Sequence, residues 1–176
     1  MKKTSVILSV AAISMLSSTA ALAIGANTYV GAQIGMTSLQ TENNTDTNNL
    51  NLYGAMIGTT VRDMFSADIN FVNQGNYFHA MADMYYNHSL SPKITSRLGG
   101  GVGVIHFNET DSTNAVFIDG GDQDATSKFA YQGAFELDYS VSDTLGFFSG
   151  YHYVGWQDSN TDQHANEYLF GMHYFL

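Results

Sequence analysis

Few residues of this chain have the chemistry of a site, and their spacing narrows what that chemistry is. Arg97 stands in a stretch with few charges, and the acidic residues Asp83 and Glu136 lie in segments of similar character on either side of it. A guanidinium with carboxylates in reach makes charge-assisted hydrogen bonds, and a buried arginine left without them costs several kcal/mol, on the order of 3–5. Six histidines are scattered through the chain. None stands at His-x-His or His-x-x-x-His spacing, so no pair is set to grip a metal from one element. Ser149 precedes His152 by three residues, which in an extended segment puts them on opposite faces. A hydroxyl cannot be activated by a base on the other side of a wall. Asp119, Asp122 and Asp124 offer oxygens for Ca²⁺, but not at EF-hand spacing. They read first as an acidic solvated run, with calcium binding left open.

The elements that position these groups follow from composition. The 176 residues include no Cys, one Pro and 17 Gly; 13% are aromatic and only 12% charged, about half the usual charged share. No disulfide is available, so stability comes from pairing and burial. Lys2 and Lys3, the apolar stretch Val6 to Leu16 and the Ala21-Leu22-Ala23 site form the pattern of a secretory signal peptide, with cleavage expected after Ala23. Residues 1–23 are then the leader and 24–176 a single domain. Four basic residues remain against 16 acidic ones, which excludes a nucleic-acid partner. No later apolar run approaches the roughly 18 residues of a membrane-spanning helix.

What the mature chain has instead is alternation. Val30, Ala32, Ile34 and Met36 alternate with Gly31, Gln33 and Gly35; Phe65, Ala67, Ile69 and Phe71 alternate with Ser66, Asp68 and Asn70. Similar period-two segments begin near Tyr53, Tyr77, Ile94, Lys128, Leu145 and Glu167. In the last, Tyr168, Phe170, Met172, Tyr174 and Leu176 share one face, too apolar to be left as a free edge in water. Polar runs at Gln40 to Asn49, Asn108 to Ser127 and Gln157 to Asn166 are long, and Val116-Phe117-Ile118 within the second extends its hairpin. The connections at Arg62-Asp63-Met64, Asn73 to Asn76, Pro92 and Ser142-Asp143 are short.

Eight segments of about ten residues with this loop asymmetry predict an all-β fold, an eight-stranded antiparallel transmembrane β-barrel with an up-and-down meander. Its lumen is just wide enough to be filled by side chains. A turn centred near residue 90 sets Asp83 opposite Arg97, with Glu136 at a similar height on the next strand. The expectation is an Asp83, Arg97, Glu136 cluster that plugs the lumen and fixes register. His79, His152 and His173 share inward parity; His106 and His164 lie near the outer rim with Trp156, and His88 near a turn. Tyr53, Tyr86, Tyr139, Tyr174 and Phe65, with Tyr151, Tyr153 and Tyr168 in an upper ring, have the parity of interfacial girdles.

The chain resembles the small eight-stranded outer-membrane barrels grouped with the OmpA transmembrane domain, OmpX and the Opa adhesins. The resemblance rests on Tyr29-Val30-Gly31-Ala32, on the run Leu98-Gly99-Gly100-Gly101-Val102-Gly103-Val104 and on the terminal strand with Tyr174 two residues before the end. Leu176 departs from the terminal Phe usual in that family. The resemblance implies a protein of the Gram-negative outer membrane, in contact with lipids and lipopolysaccharide. The barrel assembly machinery would read Tyr168, Phe170, Met172, Tyr174 and Leu176, and the surface loops would serve envelope integrity, adhesion or contact with a host surface ligand. It implies no cofactor and no catalytic residue. The alternatives are a narrow channel for ions or small solutes and, further off, a lipid A-modifying enzyme, although neither the deacylase nor the palmitoyltransferase pattern is matched.

Overall fold

The computed structural model describes residues 28–40, 50–62, 64–75, 77–107, 127–158 and 161–176. The leader with its cleavage site, the run 41–49, and 108–126 with Asp119, Asp122 and Asp124 lie outside the described residues. Eight strands follow one another: β1 (Thr28–Gln40), β2 (Leu50–Arg62), β3 (Phe65–Asn73), β4 (Tyr77–Ser91), β5 (Ile94–Phe107), β6 (Ser127–Ser140), β7 (Leu145–Asp158) and β8 (Thr161–Phe175). Each pairs antiparallel with its sequence neighbour, and β8 returns to β1, closing the barrel. The closing register sets Tyr29 against Phe175, Ile34 against Phe170 and Met36 against Tyr168. The apolar C-terminal strand therefore has both edges paired, which removes its hazard as a free edge.

The alternation sorts side chains to two faces. Ile34 and Leu98 are each 64% exposed and Phe129 66%, whereas the intervening Gln33, Arg97 and Ala130 are buried. In water this exterior would be a large sticky surface; in lipid it is the lower-energy arrangement. Aromatic residues ring its lower end. Phe65 and Tyr86 meet edge to face at 5.7 Å near Tyr139 and Tyr174 at the end of the short turns. Tyr151 and Tyr168 pair at 5.4 Å but stand midway along β7 and β8, lower on the wall than the upper ring expected from the sequence. Small Ala67, Ala82 and Gly100 leave a hollow bordered by Ile57, Ile69, Met84 and Val102 and lined also by the inward-facing Asp68, Asp83 and Gln132.

Turn chemistry sets the ends. Gly75 adopts φ 91°, a conformation open to glycine, and donates its N–H to the Asn73 side chain at 2.8 Å, an Asx turn. Ser91 Oγ accepts from the backbone of Lys93 and Ile94, so β4 runs on to Ser91 and reverses at Pro92-Lys93. A bulge between Ser89 and Ser91 accompanies this. The connection expected at Gln157 to Asn166 is far shorter, because β7 continues to Asp158 and β8 begins at Thr161.

Candidate functional site

Layers of buried side chains cross the barrel interior from the turn end to the loop end. At the turn end the His173 ring stacks on Phe148, with centroids 4.6 Å apart, and lies 4.8 Å from Tyr29. Its Nδ1 is 3.2 Å from Asp138. One layer inward Arg97, 4% exposed, reaches two walls at once. Its Nη1 donates to Glu136 at 2.7 Å, and Nη2 donates to Asp68 at 2.9 Å, the Tyr29 hydroxyl at 2.9 Å and Ser66 at 3.3 Å. The guanidinium carbon lies 4.1 Å from the Tyr85 ring centroid, a cation–π contact on its flat face. His152 stands 2.9 Å from the other oxygen of Glu136.

Above this, Asp83 accepts from Gln132 Nε2 at 3.1 Å and Gln33 donates to Asn70 at 2.7 Å. Farther toward the loop end Glu167 accepts from the Tyr77 hydroxyl at 2.9 Å and lies 3.0 Å from His79. Tyr77, Met81, Ile105, Ala130, Val154, Trp156 and Ala165 then form an apolar lid. Trp156, read from sequence as a rim residue, turns inward and is 2% exposed.

The sequence reading set Asp83 opposite Arg97, but the observed register pairs Asn87 with Arg97 and Asp83 with Gly101. The reversal at Pro92-Lys93 lies two residues later than a turn centred at 90, and this moves the partner of every β4 residue by four. An even shift keeps each side chain on its face, so Asp83 remains inside the barrel while bonding to Gln132 rather than to Arg97. Arg97 and Glu136 are direct cross-strand partners and are bonded. Asp68, the second carboxylate on Arg97, has inward parity in the cleanest alternating segment, and that parity was its only sequence signal. Glu167 and His79 come from strands that are not neighbours, β8 and β4, and meet only because the wall closes.

A closed wall of eight antiparallel strands, apolar outside and hydrogen-bonded within, defines a transmembrane β-barrel of the smallest kind. Solved structures agree. The chain is similar to Neisserial surface protein A (14% identity, TM-score 0.66, covering 85% of this chain and 97% of that one). It is similar also to the N-terminal β-barrel domain of Pseudomonas aeruginosa OprF (11%, TM-score 0.53, 82% and 97%). A third likeness is to Ail, the attachment invasion locus protein of Yersinia pestis, solved with the heparin analogue sucrose octasulfate (12%, TM-score 0.52, 85% and 98%). At these identities the likeness is one of fold. No protein-family model matches the sequence, and no curated protein matches it.

Proposed function

We propose that this protein is an integral outer-membrane barrel of a Gram-negative bacterium, 24–176 after removal of the leader 1–23, that acts through the loops at the end opposite its short turns. The observation that carries this reading is the filled lumen. Residues that would have to line a solute path, Arg97, Glu136, His152 and Glu167 among them, are 0–4% exposed and hydrogen-bonded, with Arg97 tied to Asp68 on β3 and Glu167 to Tyr77 on β4. With the inside occupied and the outer wall in lipid, the loops are the surface left for recognition.

Loop composition narrows the partner. Residues 41–49 and 108–126 carry Glu42, Asp46, Glu109, Asp111, Asp119, Asp122 and Asp124 and no Lys or Arg. A sulfated polyanion of the kind bound to Ail would be repelled, and a neutral or basic host surface ligand fits better. Lipids and lipopolysaccharide surround the wall. Tyr168, Phe170, Met172, Tyr174 and Leu176, all exposed on the final strand, present the assembly machinery with an apolar stripe. No catalytic role is assigned: Ser149 faces outward and His152 inward, so the base and the hydroxyl are separated by the wall.

Deleting 41–49 or 108–126 should leave a barrel that still assembles, shown by heat-modifiable electrophoretic mobility, while one deletion lowers adhesion of expressing cells to a host surface. Full adhesion in both deletions overturns this reading. Planar bilayers should remain silent with pure protein; reproducible unit conductance steps would favour the narrow channel instead.

A further inference from the structure

The middle of the lumen has more buried acceptors than donors. Asp68 and Asp83 stand directly opposite each other on β3 and β4, and they are 6% and 4% exposed. Like charges facing across a strand pair repel, and a carboxylate out of water needs a compensating partner. Arg97 and Tyr29 satisfy only Oδ2 of Asp68, and Gln132 satisfies only Oδ1 of Asp83. Asp68 Oδ1, Asp83 Oδ2 and Gln132 Oε1 are buried with no hydrogen-bond donor. Gln33 Oε1 is in the same condition, its amide nitrogen being used on Asn70, the next inward residue after Asp68.

These orphans are all oxygens that accept. Among the described residues the orphaned atom that is a donor alone is Trp156 Nε1, up in the apolar lid. The donors within the lumen are already engaged: Arg97 is tied to Asp68 and Glu136, while ring nitrogens of His79, His152 and His173 lie against Glu167, Glu136 and Asp138. A cation would meet both deficits, since it separates the opposed carboxylates and takes only acceptors. Oxygen ligands from carboxylates and amides suit a hard ion. Among the described residues no three His, Asp or Glu side chains converge to hold a metal, so the donors on offer here are two carboxylates and amide oxygens, with no nitrogen or sulfur among them.

We propose that the lumen holds one hard divalent cation of the Ca²⁺ class between Asp68 and Asp83, with Gln132 as a further oxygen ligand and water filling the rest of its shell. The ion is enclosed as the barrel closes and acts as a rivet between β3, β4 and β6. This site is independent of the loops and of the ligand they contact.

The test refolds the purified mature chain in detergent micelles with CaCl₂, with MgCl₂, or with EDTA in choline chloride, and follows thermal unfolding. Calcium should raise the unfolding midpoint by several degrees over EDTA, and desalted protein should retain about one calcium per chain by elemental analysis, as ligand-linked folding requires. Asp83→Asn should lose that gain; the loop variant with Asp119, Asp122 and Asp124 all changed to Asn should keep it. Equal midpoints in all three solutions, no retained calcium, or loss of the gain in the loop variant overturns the proposal. A protonated-carboxyl infrared band that disappears in Asp83→Asn also overturns it, because a proton would then do the cation's work. Elemental analysis of the unaltered chain decides the matter even where Asp83→Asn does not fold.

Discussion

Replacing Arg97 by Met should cost the folded barrel about 3–5 kcal/mol, the loss expected when one partner of a buried ion pair is removed and the other stays behind. The arginine is only 4% exposed, and its nitrogens lie 2.7 Å from Glu136 and 2.9 Å from Asp68. With methionine in its place both carboxylates remain inside a wall that admits little water. Urea unfolding of the protein refolded in micelles gives the measurement. The double variant Arg97→Met with Glu136→Gln should recover part of the loss, because the uncompensated charge goes with it. Arg97→Lys should not rescue: the guanidinium donates through separate nitrogens to β6 on one side and β3 on the other, and a compact ammonium cannot reproduce that fork. A change under about 1 kcal/mol in Arg97→Met, the scale of an exposed pair, would show that the network does not hold the lumen together.

The residues that made the barrel legible are those with period-two alternation, since a strand between lipid and lumen has only two environments to offer. Phe65 to Phe71 shows this best, and there every outward and inward assignment agrees with the observed burial. Register is a different quantity. Pro92 marks the reversal in this stretch, but it does not say which residues pair on either side, and the extension of β4 to Ser91 takes Asp83 away from Arg97 and gives it to Gln132. Pairs across the bore, such as Arg97 with Asp68 and His79 with Glu167, depend on strand stagger around the closed wall, a global property that no local segment encodes. The last hairpin was obscured for a simpler reason. Gln163, His164 and Asn166 are polar although they are in β8, because this part of the strand stands at the loop end, where the wall has no need of an apolar outer face.

The same two-environment logic predicts the second large effect, on the outside of the wall. Val102 lies midway along β5, 54% exposed, paired with Ala82 on one side and Tyr131 on the other. Val102→Arg should destabilise the barrel in phospholipid vesicles by about 2–4 kcal/mol, the range for a cationic side chain on a barrel's lipid face at the bilayer midplane. Val61 is also outward, 61% exposed, but stands one residue from the end of β2. Val61→Arg should cost only about 0–1 kcal/mol, because the guanidinium reaches the interface. The difference between the two positions is the informative quantity, since it cancels any general effect of adding a charge. Reversible urea unfolding from vesicles measures both. Equal losses at the two positions would mean that depth along the strand is irrelevant, and the wall would then not be set in a bilayer.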